Sequence, residues 1–550
     1  MDEDLALDDE LSHTMRAAMR MAEATADARL IPSPARRAGA GRVRIIGEPA
    51  VARRVELREA LRSITSNGTV AAALMVLATV AAIVVANSPA HSAVEALLAE
   101  PVGIQLGPTI VGLSVESLVN DLLMAVFFLL VGVELKYEMT VGQLRVPRQA
   151  ALPIMAAVGG VAGPCVIYAL LNIGGALHGW AVPMATDIAF ALGVMSLLGD
   201  AVSPATKVFF STLAIADDIL AIVVLALFYG QAPDVAWLLA ATACCAALAL
   251  LNHARVYKAR AYLAVGVVLW VCMLNSGVHA TLAGVILAFF LPGESDIRLS
   301  SLREWLGERA NELDGAYDKG MHVLGQHDFT DSAARVERVM HKVTPPLQRV
   351  ERVISVPVNF VVLPLFAFVN AQVCLAGVDP AAILADHVTL GVFLGALLGK
   401  PAGIIAMTLA LVRMGFARLP KGVGWSQVIG VGLMGGMGFT MSILIAGLAF
   451  DDPSEVLAAK CAILAASVAA ALVGSAFILL AGRRGSRSGG RKSDAEDASA
   501  VGRNESVSSL RRKLGPRGVG PRTRRAFPSP SRGPRQAQEP SSRTGTFHSG

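Results

Sequence analysis

Twelve times between residues 69 and 481 the chain runs through an apolar stretch long enough, or nearly long enough, to cross a lipid bilayer. The stretches are 69–87, 118–135, 151–173, 181–198, 208–229, 235–251, 261–275, 277–291, 353–373, 387–411, 426–449 and 457–481, where a crossing helix takes roughly twenty residues. Hydrocarbon offers no partner to backbone N–H and C=O groups, so repeated spans of this length imply a bundle of α-helices. A mean hydropathy of +0.56 over 550 residues, 17% of them charged, excludes a soluble globular protein. The formal charge of +5 does not point to a nucleic-acid partner, because the basic residues concentrate in the tails and in alternate loops.

That alternation is a topology signal. With the N-terminus inside, the cytoplasmic loops carry Lys136, Arg145, Arg148, Lys207, Arg255, Lys258, Arg260, Arg413, Arg418, Lys421, Arg483 and Arg484. The outer loops carry no Lys or Arg, only acids such as Glu95, Glu100, Glu116, Asp234, Asp379 and Asp451. Twelve spans with both termini in the cytoplasm of a multi-pass cell-membrane protein satisfy the positive-inside rule at every turn. The expected organisation is a polar, largely disordered tail over 1–66, a membrane domain over 67–482, and a basic, disordered tail over 483–550. The one long loop in the membrane domain, 293–352, has the mixed charge of a surface or interfacial helix. The acidic start (MDEDLALDDE) has no apolar core, so no cleavable signal peptide is expected. Six cysteines lie mostly inside apolar segments without metal-ligand spacing and read as small core residues.

Residues 213–224, LAIADDILAIVV, place two adjacent aspartates inside an apolar span. Each buried Asp costs roughly 2.5–3.5 kcal/mol at a helix centre, so Asp217 and Asp218 need compensation or a function. Asp187 in AVPMATDIAFALGV and Lys400 in GVFLGALLGKPAGIIA are further charges out of place. Three acids against one base leave a net negative cluster, which attracts cations. Lys400 taken alone would serve equally as a packing counter-ion; adjacent acids resist that reading, since a structural ion pair needs only one. Asp121 fits the outer interface as well as a function, Glu134 and Glu138 flank Lys136 at an inner interface, and His279 reads as a hydrogen-bonded core histidine.

Two spans are also interrupted. One carries Pro183 and the Thr186–Asp187 pair; the other packs Gly430, Gly432, Gly435, Gly436 and Gly438 into nine residues. Together they are the expected pointer to discontinuous helices meeting at a midplane site. Asp187 would offset the positive half-helix N-termini and Lys400 the negative C-termini.

The strings NDLLMAVFFLLVGVELK, ATDIAFALGV, LAIADDILAIVVLALFY, SGVHATLAG, LPLFAFVNA, LLGKPAGI and GMGFTMSILIA, in this order, resemble the NhaA family of sodium/proton antiporters over roughly residues 66–480. NhaA antiporters are among the transporters from which the broken-helix rule was drawn, so the interrupted spans do not count independently of the resemblance. It implies an all-α membrane protein of twelve transmembrane helices with inverted repeats and two discontinuous crossing helices. Asp217 and Asp218 match the family's ion-binding, proton-carrying carboxylates, with Lys400 paired to Asp217 and Asp218 left as principal Na+ ligand. Thr186 and Asp187 match one helix break; Gly435, Gly436, Gly438 and Thr440 match the other. Glu351 matches an acid of the cytoplasmic pH-response region, where histidines of better-known members are replaced by Arg352 and Ser355. Glu134 and Asp121 join it as candidates for pH response or gating.

The implied function is secondary active transport rather than enzymatic catalysis: cytoplasmic Na+ or Li+ leaves in exchange for external H+, electrogenically and under pH control, serving sodium and pH homeostasis. No cofactor is expected; Na+ or Li+ and H+ are the substrates, the bilayer is the environment, and a second copy of the chain is the implied partner. The stretch 101–117 suits a small extracellular hairpin of the kind family members use to dimerise. A buried carboxyl holds its proton tightly, and a second acid beside it strengthens that hold, so protons and Na+ compete for the same oxygens. An intramembrane aspartyl protease needs its acids on separate helices, and an organic-anion carrier needs cavity arginines that the spans lack.

Overall fold

The computed structural model describes residues 68–481, except 107–108, 231, 296, 298 and 376–378. The two polar tails expected to be disordered, 1–66 and 483–550, lie outside the described residues. Among the described residues nine helical segments are long and apolar enough to cross a membrane. They are α1 (Gly68–Ala86), α3 (Val115–Thr140), α4 (Pro147–Leu171), the composite Leu177–Leu197, α6 (Pro204–Phe228), α7 (Val235–His253), α12 (Pro346–Asn370), α13 (His387–Arg413) and α16 (Pro453–Ala481). A tenth is the pair α14 (Trp425–Gly435) and α15 (Phe439–Ala449), bent by 42° at its break. The seventh and eighth expected spans correspond to α8 (Ala259–Asn275), of 17 residues, and α9 (Leu282–Phe290), of only 9. The protein is an all-α membrane protein.

Between α1 and α3 a short helix, α2 (His91–Ala99), leads into the hairpin that the 101–117 stretch suggested. Strands β1 (Pro101–Leu106) and β2 (Thr109–Ser114) pair antiparallel, from Pro101 opposite Ser114 to Leu106 opposite Thr109. The 293–352 segment forms two helices, α10 (Leu299–Ala316) and α11 (His327–Val343), and then enters α12. Its ends are tied together where the Ser295 hydroxyl donates to the Lys342 carbonyl (3.0 Å) and the Leu347 N–H to the Pro292 carbonyl (3.2 Å).

Local chemistry fixes where helices begin. Ser203 caps α6 by accepting from Thr206 N, with Pro204 in the first turn, where its missing N–H costs nothing. Asp234 caps α7 and Asp386 caps α13 in the same way. Three helices contain a wide π-helical turn: Leu118–Leu123 in α3, Val358–Val362 in α12 and Gly395–Gly399 in α13. The last two run into Pro364 and Pro401, whose rings supply no N–H to the preceding turn, so the ladder shifts register there.

Helices in lipid gain little from apolar burial against each other, and close approach relies on small residues. Gly159 and Gly163 of α4 face Gly399 and Gly403 of α13, backbone against backbone. A Cβ added at Gly163 would strike the Gly399 carbonyl oxygen and lie 3.2 Å from Gly403 Cα. Overpacking of this kind costs about 1–3 kcal/mol. Gly163→Val is therefore expected to lower the thermal unfolding midpoint in detergent, whereas Leu77→Val on the exposed face of α1 leaves it nearly unchanged; equal midpoints for the two variants would contradict the packing.

Candidate ion site

The site forms where two interrupted spans cross. Ala185 and Asp187, between the 3-10 segment Leu177–Met184 and α5 (Ile188–Leu197), have extended backbone, whereas the break between α14 and α15 is a tight turn, with Gly436 still near helical angles and Gly438 at φ −101° and ψ 3°. The two breaks are hydrogen-bonded to each other: Asp187 N–H donates to the Met437 carbonyl at 2.6 Å and the Thr186 hydroxyl to the Gly435 carbonyl at 3.0 Å. At Gly438 an added Cβ would collide with the Ala185 carbonyl, so this crossing requires glycine.

Two buried charges neutralise the exposed helix ends. Asp187 accepts from Phe190 N (2.9 Å) in the first turn of α5, and from Thr440 Oγ1 (2.7 Å) and Thr440 N (3.3 Å) in the first turn of α15. One carboxylate therefore caps the N-termini of both half-helices, where the peptide dipoles are positive. Lys400, fully buried, donates to the carbonyl of Met184 at the end of the 3-10 segment, where they are negative.

Asp217 and Asp218 are adjacent on α6 and only 1% and 3% exposed. Consecutive residues on an α-helix project about 100° apart, and the two side chains take different surroundings. Asp217 Oδ2 pairs with Lys400 Nζ at 2.6 Å. Asp218 faces a cavity of about 350 Å³ together with Thr186, Asp187, Thr440, Glu134 and Glu351. Among the described residues, Oδ1 of each aspartate is buried with no hydrogen-bond partner. Among the described residues the cavity lining includes five acids, with Glu138 the fifth, and no Lys or Arg, a charge balance that favours cations.

The sequence placed several of these side chains less well. Glu134 and Glu138, read as interfacial, both line the cavity; Glu134 and Glu351, also taken as candidates for pH response or gating, share it with Asp218. Asp121 does not: it sits on the π turn of α3 at a separate cavity of about 100 Å³ with Asn120, His279, Thr281 and Asn370. His279 is hydrogen-bonded to the Tyr229 backbone, but its buried Nε2 has no partner among the described residues. Three asparagines at these cavities escaped notice: Asn359 at the larger one, and Asn120 and Asn370 at the smaller, where Asn370 Nδ2 donates to Asn120 Oδ1 at 2.6 Å. Each is a polar residue within an apolar run, a signal that the search for formal charges passed over.

Broken helices whose ends are capped by buried charges, beside an acid-lined cavity in a polytopic bundle, define a secondary-transporter architecture. The sequence profile of the family described as Na+/H+ antiporter 1 matches residues 62–478. The chain is 42% identical over 413 residues to a Na+/H+ antiporter NhaA of Oleidesulfovibrio alaskensis, covering 74% of this chain and 92% of that one. It is 41% identical over 413 residues to the NhaA of Helicobacter pylori, with the same coverage, and 44% identical over 391 residues to that of Rhodospirillum rubrum, covering 71% and 88%. The chain belongs to the Na+/H+ antiporter 1 family.

Removing one partner of a buried ion pair costs about 3–5 kcal/mol, while replacing both is close to neutral. Lys400→Met should therefore lower the unfolding midpoint in detergent markedly, by leaving Asp217 and the Met184 carbonyl unpaired, and adding Asp217→Asn should recover much of the loss. A double variant no more stable than Lys400→Met would show that the pair is not coupled.

Proposed function

We propose that this antiporter carries Na+ or Li+ out of the cytoplasm in exchange for external H+, with Asp218 as the principal cation ligand and Asp217 and Asp218 as the proton carriers. Membership of the family establishes the exchange of Na+ for H+ as the activity; the division of roles is our reading. The observation that carries it is the unequal setting of two adjacent carboxylates, one paired to Lys400 and the other open to an acid-lined cavity.

Na+ is a hard cation that prefers oxygen ligands. No three Asp, Glu, His or Cys side chains converge on one metal-sized point among the described residues, so hydroxyls, carbonyls or water complete the shell around an ion at Asp218. Ion and protons then compete for the same carboxylate oxygens, and that competition couples the two fluxes. With the cavity open inward, Na+ enters and protons leave; with the site open outward the order reverses, as one helical bundle moves against the other. Two carboxylates serving one monovalent ion favour more than one proton per Na+, hence an electrogenic cycle.

The sidedness follows from the charge of the loops. Glu138 and Glu351, on the cavity, lie near the span ends whose loops carry Lys and Arg, which supports a reading with the cavity mouth and both chain termini on the cytoplasmic side of a cell membrane. On this reading Glu351 and Glu134 make the rate depend on cytoplasmic pH, and Asp121 serves the outer end of the path. The β1–β2 hairpin is a ready dimerisation element for a second copy.

Everted vesicles loaded with acid and challenged with Na+ or Li+ test this through a pH-sensitive dye. Asp218→Asn is expected to reduce cation-dependent alkalinisation to background while the purified variant still unfolds cooperatively. Exchange at the wild-type rate in a folded Asp218→Asn protein would refute the assignment.

A further inference from the structure

Among the polar side chains of the inner cavity that the exchange mechanism leaves unused is one amide, Asn359. Asn359 lies on the π turn Val358–Val362 of α12, bracketed by Pro357 and Pro364, and shares the cavity with Glu134, Glu351 and Asp218. Single π turns inside α-helices concentrate at functional sites because the widened turn redirects one residue and loosens its carbonyls.

Apart from the exposed Asn311 of α10, the other asparagines of the membrane domain show what an amide normally does here. Asn87 bonds the Ile83 and Val373 carbonyls, Asn172 those of Tyr168 and His387, Asn252 that of Phe290, and Asn275 that of Val271. Asn120 and Asn370 bond each other. Asn359 differs: its amide meets no hydrogen-bonding partner among the described residues, and it lines the cavity. An amide within the membrane has to be satisfied, so its partner belongs to the cavity's contents, water or an ion.

We propose that Asn359 is a cation ligand of the inner cavity, its amide oxygen replacing a water on an incoming Na+ or Li+ and so setting the preference for metal ions over protons. This rests on the reading of the cavity as the ion's route. An amide oxygen is a hard, neutral donor. Unlike the carboxylates around it, it takes up no proton in the working pH range. Each carboxylate ligand strengthens the hold on Na+ and H+ together, whereas Asn359 strengthens only the first. Glu351 lies eight residues earlier on α12, about 12 Å along the axis, so carboxylate and amide follow one another on a single helix.

The test measures exchange in vesicles over a range of pH for wild type, Asn359→Ala and Asn359→Asp. A lost ion–dipole contact is worth about tenfold in binding, so Asn359→Ala should raise the KM for Na+ by about tenfold with the maximal rate within about twofold of wild type. Asn359→Asp restores an oxygen ligand but makes it titratable. Its KM should approach the wild-type value in alkali and climb more steeply than wild type as the pH falls. A merely structural asparagine would give neither the selective rise in KM nor the altered pH dependence. Wild-type KM values for Na+ and Li+ in Asn359→Ala, or an Asn359→Asp pH profile parallel to wild type, would overturn the proposal. If wild type shows no Na+-dependent exchange, the functional reading fails; thermal stabilisation of the purified wild type by Na+, compared with Asn359→Ala, then decides separately whether this side chain holds the ion.

Discussion

Two stretches of backbone leave the helical ladder inside the bundle, at 185–187 and around Gly436–Gly438, where a membrane provides no water to satisfy them. Everything else at the site follows from how those groups are paired. The breaks bond to each other through the Asp187 N–H and the Met437 carbonyl. Asp187 collects the N–H groups of two half-helices, and Lys400 takes the carbonyl end of the 3-10 segment. A loss of any of these contacts would leave a peptide group or a charge unmatched in low dielectric, where the cost is several kcal/mol.

Lys400 ties this arrangement to α6, because the same ammonium that meets Met184 also pairs with Asp217. Gly160 and Gly435 flank its stem: Cβ atoms there would each lie 3.9 Å from Lys400 Cε, in van der Waals contact. The close contact of α4 and α13 through Gly159, Gly163, Gly399 and Gly403 brings the π turn before Lys400 against the helix that packs beside α6. Packing by small residues and placement of charge are thus one feature of the fold.

Helical geometry turns sequence adjacency into chemical difference. Neighbouring carboxylates on a strand would point to opposite faces; on α6 they diverge by about 100°, enough for one to pair with Lys400 while the other opens into the cavity. Glu134, Glu138, Glu351 and Asp187 around that cavity supply a field that favours cations.

Much of this was legible in the sequence. Apolar span length marks membrane helices because hydrocarbon imposes one requirement on all of them, and the charges at 187, 217, 218 and 400 stand out because each is costly there. Family resemblance matched Lys400 to Asp217. The sequence did not disclose that one Asp187 caps two helices, that Glu134 faces the cavity while Asp121 does not, or that α9 is only nine residues long. Nor did it single out Asn359. Hydropathy determines which segments enter the membrane and at what cost a charge goes with them. Which way each side chain points depends on the rotation of every helix against its neighbours, and only the packed bundle sets that rotation.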